Sequence, residues 1–294
     1  MLLRRCLKTI PWRQDVQVIV VDDGSEEEAV AELRGMEKEF TGAEFLYSNE
    51  CLGAGHARNM GLEAAKGDYL IFADADDFFN GCFEDILREY GDRDYDIVFF
   101  NANSVDTDTM KPATRSWHVN RMIDRYPEHE EESMIELRYS FGEPWGKIIK
   151  RSIVESNNIR FDETKIHNDT TFSYLVGLYC TKAYVDSRFG YCVTDRVGSV
   201  SKKSSYDRLL IRTEVFTRAN VFYRDHGIPL FEERGMRPMM MFLLKGKLSS
   251  FKECYRIMKK CGMTGSEIVF HIMAYPYYII AKLNMKRYKS KMNK

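Results

Sequence analysis

Between Val16 and Phe100 the chain alternates short apolar runs with longer stretches patterned for helices. Val16–Val21 is a β-branched run broken only by Gln17, and Phe45–Tyr47, Tyr69–Ala73 and Tyr95–Phe100 read as further strands. Glu26–Phe40, Gly55–Lys66 and the stretch from Cys82 to Tyr90 carry their apolar residues at helical spacing. Strands separated by crossover-length helices predict an α/β, Rossmann-like half whose helices cover both faces of a sheet.

The pattern changes after Phe100. Helices are expected over Glu130–Tyr139 and Asp169–Tyr179, and strands over Lys182–Asp186 and Phe189–Thr194. Beyond Ser204 nearly every stretch has helical spacing, so the least arbitrary boundary lies near Lys203: a main domain over residues 1–203 and a helical extension over 204–294.

Composition narrows the class without naming a reaction. With 44% hydrophobic residues the chain can fill a substantial core, and a net charge of −1 gives no support to nucleic-acid binding. The charge is uneven, however. From Lys282 to Lys294 there are Lys or Arg at 282, 286, 287, 289, 291 and 294 and no acid, directly after an apolar stretch from Ile268 to Leu283. That stretch is too short and too interrupted for a membrane span, and the basic segment suits peripheral contact with an anionic membrane. Seven scattered cysteines without a CxxC pair argue against a zinc site and a disulfide framework. With no secretory signal at Met1–Leu7, a cytoplasmic location is the expectation, extended to the inner face of the cell membrane by the basic segment.

Candidate chemistry gathers at the ends of the apolar runs. Tyr69–Ala73 leads into Asp74-Ala-Asp76-Asp77, which places carboxylates at the carboxyl edge of the sheet, where α/β folds bind ligands. Crowded carboxylates are costly unless a cation or hydrogen-bond donors compensate, and hard oxygen ligands suit Mg2+ or Mn2+ with phosphates completing the shell. Val20-Val-Asp22-Asp23-Gly-Ser25 is a second strand running into acids; a carboxylate there can accept from a ribose or a base N–H, or the motif can be a turn and helix cap. Gly53-Ala-Gly55-His-Ala-Arg58 puts a flexible loop before a helix, with Arg58 in reach of a phosphate or base carbonyl. Its glycines do not make a dinucleotide fingerprint, and no Walker-type GK[ST] occurs.

These segments, in this order, resemble the family 2 inverting glycosyltransferases. VVDDGS, then N-x-x-x-G-x-x-x-A-R-N-x-G-L-x-x-A-x-G-D-Y, then the strand and DADD follow that family's pattern almost without gaps from Val20 to Asp77. The resemblance implies a glycosyltransferase A fold with a mixed, mainly parallel sheet and, here, a C-terminal helical extension. It implies a UDP-linked sugar donor, a glycan or lipid-linked acceptor hydroxyl, and a role in cell-surface polysaccharide biosynthesis. By it, Asp22 or Asp23 would meet the uracil or ribose, Arg58 would help hold the nucleotide, Asp74 would approach the ribose and Asp76 would ligate the metal. Pro144-Trp-Gly-Lys-Ile-Ile-Lys-Arg151 and Ile159-Arg-Phe161 resemble the segment leading to the family's acidic acceptor-side motif, here Asn168-Asp169, which makes Asp169 the implied general base. Tyr191–Ser201 resembles the late segment that approaches the donor diphosphate, with Arg196 and Ser199 as candidates.

The resemblance begins inside a helix, Leu2–Ile10. Family members place a strand before it, central in the sheet between the strands ending at Val21 and Ala73. The expectation is a lost N-terminal segment, with backbone groups left unpaired on both neighbouring strands. Two other readings compete: a non-catalytic relative serving as a binding partner, and a nucleotidyltransferase, whose Gly-rich basic N-terminal loop is not visible.

Overall fold

The computed structural model describes residues 2–196 and 205–292, and the chain divides into two compact units, Met1–Lys203 and Ser204–Lys294. In the first, α1 (Leu2–Thr9) precedes β1 (Val18–Asp22), α2 (Glu27–Glu39), β2 (Ala43–Tyr47), α3 (Ala54–Ala64), β3 (Tyr69–Leu70) and β4 (Phe78–Phe79). There follow α4 (Phe83–Tyr90), β5 (Ile97–Asp106), α5 (Trp117–Arg125), α6 (Glu130–Tyr139), β6 (Lys147–Lys150), α7 (Arg151–Ser156), α8 (Thr170–Tyr179) and β7 (Ala183–Asp195).

The described strands form a five-stranded sheet in the order β3-β6-β5-β7-β4 and a separate parallel pair, β1-β2. The sheet is mixed, and the long ladders are parallel: β1 with β2, and β5 with β7 from Ile97↔Ala183 to Asp106↔Asp195. The short β3, β4 and β6 pair antiparallel. Central β5 is buried on both faces from Ile97 to Ala102, which is why Ile97–Phe100 reads as an unbroken apolar run before Asn101. Around it Phe83, Ile86, Phe141, Ile148 and Phe172 make the core, each contributing roughly 1.5–3 kcal/mol on full burial.

Two expectations change at the sheet, and the gap expected between the strands ending at Val21 and Ala73 is present. The strand expected over Tyr69–Ala73 is confined to Tyr69–Leu70, paired to β6; Ile71–Ala73 joins no ladder. β1 pairs with β2 alone, so the two strands expected to flank an additional one are not bonded to each other. The two strands expected at Lys182–Asp186 and Phe189–Thr194 are one, β7, with register shifts at Phe100/Asn101 and Asn101/Ala102. Asp186 closes the irregularity by accepting the Arg188 N–H at 2.7 Å, and Gly190 lies where a Cβ would be 2.8 Å from the Phe100 ring.

The second unit is helical: α9 (Tyr206–Asp225), α10 (Met236–Leu244), α11 (Leu248–Lys260) and α12 (Gly265–Met292). Its core is methionine-rich, with Met236, Met239, Phe242, Cys254, Met258, Ile268 and Tyr275 buried together. A capping box starts α12: Thr264 Oγ1 accepts the Glu267 N–H at 3.2 Å, and Glu267 accepts the Thr264 N–H at 2.6 Å.

Candidate active site

The acidic loop Asp74–Asp77 is clamped by α1 and β7. Asp77 turns inward, 2% exposed. Its Oδ1 accepts the Thr194 main-chain N–H at 2.7 Å, and its Oδ2 accepts the Tyr191 hydroxyl at 3.0 Å. That hydroxyl in turn accepts the Asp74 main-chain N–H at 2.9 Å. Burial, reinforced by Asp74, pushes the Asp77 carboxyl up to about 7. Burial also holds Tyr191 well above its usual range, so the phenol keeps the proton it donates. Thr194 Oγ1 and Arg5 both donate to the Asp76 carbonyl, at 2.9 and 2.6 Å. The Asp76 carboxylate takes no part in these bonds and is half-buried.

The three acids that the sequence groups together therefore do different work. Asp77 anchors the loop, Asp74 meets an arginine and Asp76 is left as the candidate metal ligand. Among the described residues no three His, Cys, Asp or Glu side chains converge as a metal cage. A single carboxylate still fits Mg2+ or Mn2+, which take most of their ligands from substrate phosphates and water.

Arg58 joins the parts. From α3 its guanidinium donates to Asp74 Oδ1 at 2.8 Å and to Asn168 Oδ1 at 2.8 Å, 5.5 Å from the Phe161 ring centroid. Phe161 stacks on Phe172 of α8 at 3.9 Å, so the arginine rests on a rigid aromatic floor. Neighbouring Asn59 exchanges hydrogen bonds with the Phe161 backbone, at 2.9 and 3.1 Å. The helix can come this close because Gly55 lacks a Cβ, which would stand 2.0 Å from the Asp162 carbonyl oxygen. The glycine pair before Arg58 is thus structural: Gly55 permits contact, and Gly53 adopts φ +103° in the turn into α3.

Asn168 and Asp169 follow His167, whose φ of +57° is left-handed. Asp169 occupies the N-cap position of α8, yet its side chain makes no capping hydrogen bond. Burial first, then Glu143, raise its carboxyl to about 6, against the opposing pull of Arg58. Glu143 meets His118 Nε2 at 3.0 Å. Beneath this wall Lys147 is buried, donating to the Phe141 carbonyl and to Ser173 Oγ at 3.2 Å, and desolvation lowers its ammonium to about 7.

The remaining candidates are placed as follows. Asp22 is buried at the end of β1 and accepts the Ser25 N–H at 3.1 Å. Asp23 accepts main-chain N–H groups from Leu52 at 3.2 Å and Gly53 at 2.7 Å, tying β1 to the loop before α3. Gly24 between Asp23 and Ser25 has φ +69°, and a Cβ would meet the Glu50 carbonyl carbon at 2.6 Å. Arg196 is exposed one residue beyond β7; Ser199 lies outside the described residues. Tyr191, Thr194, Arg5, Glu143 and Lys147 were not singled out by sequence. Tyr191 and Thr194, Arg5, and Lys147 lie in segments that were, Tyr191–Ser201, Leu2–Ile10 and Pro144–Arg151, but only Arg196 and Ser199 of the first were given a chemistry.

A mixed sheet with covering helices, an acidic loop after β3 tied by an arginine to a second acidic motif, and a helical C-terminal unit is of the glycosyltransferase A type. The sequence profile described as Glycosyl transferase family 2 matches residues 2–157, and the chain belongs to that family. EpsH of Bacillus subtilis is 29% identical over 165 residues, covering 54% of this chain and 46% of EpsH, so the chain spans less than half the length of that relative. The cholesterol galactosyltransferase of Borreliella burgdorferi is 23% identical over 313 residues, 88% of this chain and 83% of that protein. Among solved structures, S. aureus TarS 1-349 in complex with UDP-GlcNAc matches with a TM-score of 0.60 at 18% identity, over 88% of this chain and 76% of that one. The mannosyltransferase PcManGT from Pyrobaculum calidifontis, in complex with GDP-Man and Mn2+, matches at 0.53 and 12% identity, over 95% and 76%.

Proposed function

We propose that this protein transfers a sugar from a nucleotide diphosphate, UDP-linked, to a hydroxyl of a glycan or lipid-linked acceptor, with inversion at the anomeric carbon. The observation that carries the reading is the Arg58 bridge, which links Asp74 to Asn168 and so sets the acidic loop beside Asp169. Family membership and the nucleotide-sugar complexes of the structural neighbours support the donor class.

In this reading Asp22 or Asp23 receives the uracil or ribose, Asp74 and Arg58 hold the nucleotide, and Arg196 and Ser199 approach the diphosphate. Asp22 and Asp23 reach that role while also fixing the β1 turn and the loop after β2. Asp169 takes the proton from the acceptor hydroxyl as its oxygen attacks the anomeric carbon opposite the departing diphosphate. General-base help of this kind contributes typically ~10²- to 10⁴-fold. Asp76 would hold Mn2+ or Mg2+, whose contribution when bound is to neutralise charge on the leaving diphosphate. The working location is the cytoplasmic face of a membrane, reached through the basic C-terminal segment; no described helix is long and apolar enough to cross one.

One observation favours a second reading, a non-catalytic binding relative: β1 and β2 are not bonded to the main sheet. A thermal-shift series with UDP, GDP and dTDP, each with Mn2+ and with chelator, separates the two. A metal-dependent rise with one nucleotide supports the transferase, and ~100 times Kd of ligand gives about 2.7 kcal/mol. A folded protein that no nucleotide shifts sinks it for this chain.

A further inference from the structure

From Ile268 to Ile280 helix α12 is apolar on both sides. No charged residue occurs from Ile268 to Ala281. One side faces the core of the C-terminal unit through Ile268, Ile272, Tyr275 and Ile279. The other side carries Val269, Phe270, Met273, Tyr277, Ile280 and Leu283, which are between 52% and 74% exposed. Phe270, Met273, Tyr277 and Ile280 recur at three- and four-residue intervals, so they form one ridge along the helix. A water-facing helix surface is ordinarily polar, and a contiguous exposed apolar ridge marks an interaction surface.

The sequence that follows names the partner. Lys282, Lys286, Arg287, Lys289, Lys291 and Lys294 continue the chain with no acid among them, so the apolar ridge runs into a strongly cationic end. Apolar side chains next to clustered Lys and Arg match the boundary between acyl chains and anionic headgroups. The charge-free stretch of fourteen residues spans only about 21 Å at 1.5 Å per residue, short of the ~30 Å hydrocarbon core. Such a helix lies along the surface; it does not cross. A second copy of the chain is the poorer occupant, because pairing two such helices brings twelve Lys and Arg into one assembly with no acid between residues 268 and 294 of either copy.

We infer that the outward ridge of α12, centred on Phe270, Met273 and Tyr277, is an in-plane docking face for an anionic lipid bilayer. This rests on the reading of the C-terminal segment as a membrane contact and assigns its energy to the apolar face as well as to the basic tail. It does not depend on glycosyl transfer, which the nucleotide series tests separately.

The test is sedimentation of the full chain with phosphatidylcholine vesicles, with and without phosphatidylglycerol. Binding is expected only to the mixed vesicles, weakening with salt, and Phe270→Ser with Met273→Ser should lower the affinity at least ~10-fold. Hydrogen exchange on the unsubstituted chain keeps the test independent of any folding defect: mixed vesicles should protect residues 269–283 and leave β5 unchanged. The proposal is overturned if the chain ignores mixed vesicles, or if the double substitution leaves affinity intact and exchange over 269–283 is unaltered. It is equally overturned if the chain self-associates without lipid and the same substitutions abolish that association instead.

Discussion

The Tyr191 hydroxyl donates to Asp77 Oδ2 at 3.0 Å while accepting the Asp74 N–H at 2.9 Å, so one phenol on β7 fixes both ends of the acidic loop. Removing it leaves a buried carboxylate with the Thr194 N–H as its remaining named donor and strips a partner from the Asp74 backbone. Leaving such groups unsatisfied costs roughly 1–3 kcal/mol. Tyr191→Phe is therefore expected to lower the unfolding free energy by that amount, read from urea denaturation, and to weaken metal-dependent nucleotide binding, read by calorimetry. A variant with lowered stability and unchanged nucleotide affinity would show that loop position does not matter to the site.

Asp169 supplies the pH dependence. Its carboxyl is raised from 3.8 to about 6, chiefly by burial, so the folded protein holds this proton more tightly than the unfolded chain does. Stability from this group is complete below about pH 4 and is lost as pH rises through about 6. As the proposed base, Asp169 acts only when ionised, so turnover should climb through the same pH. Asp169→Asn is expected to remove that acid limb, cut turnover ~10²- to 10⁴-fold and spare nucleotide binding. Loss of nucleotide affinity in this variant would make Asp169 a structural residue.

Arg58 holds two oxygen partners in a fixed fork, which lysine cannot reproduce. Arg58→Lys is expected to weaken nucleotide binding by at least ~10-fold, equivalent to about 1.4 kcal/mol, with the fold retained by circular dichroism. Unchanged affinity would remove Arg58 from the donor site.

Gly55→Ala places a methyl group 2.0 Å from the Asp162 carbonyl oxygen, a distance no side-chain rotation relieves because both atoms belong to backbone-fixed positions. The expected outcome is a loss of several kcal/mol, or failure to fold, measured by thermal unfolding. Gly35→Ala, with nothing within 4 Å of its Cβ, is the matched control and should be neutral or stabilising.

The parts of this fold that read from sequence are those whose signal is local. Val18–Val21 and Ile97–Phe100 are apolar strands by composition, Arg58 and Asp74 sit in a dense motif, and Asp169 sits in a looser one. What did not read depends on pairing. β4 and β6 are short strands whose existence follows from alignment against β7 and β5, and Ile71–Ala73 looks like strand by residue type yet has no ladder to join. The division of labour among Asp74, Asp76 and Asp77 was equally hidden, because it is set by Tyr191 and Thr194, more than a hundred residues away. Lys147 falls in an apolar strand where nothing local shows that its ammonium will be enclosed.

That enclosure has a measurable sign. Desolvation lowers Lys147 from 10.5 to about 7, against the opposing attraction of Glu143 and Asp169. Between those two values the unfolded chain binds a proton that the folded chain has released, so the linkage of this group makes stability rise with pH across that window. Below about 7 the folded protein must carry a buried ammonium, held by the Phe141 carbonyl and Ser173 Oγ. Lys147→Met keeps the volume and removes both the charge and its donors. The variant is expected to lose the pH-dependent increment, so that the difference in urea midpoint between it and the parent widens in the parent's favour from pH 7 towards 10. Exposed lysines and tyrosines titrating in the same range cancel in that difference. A difference that stays constant over the window would mean that Lys147 keeps its proton throughout, and that the Glu143 and Asp169 carboxylates outweigh its burial.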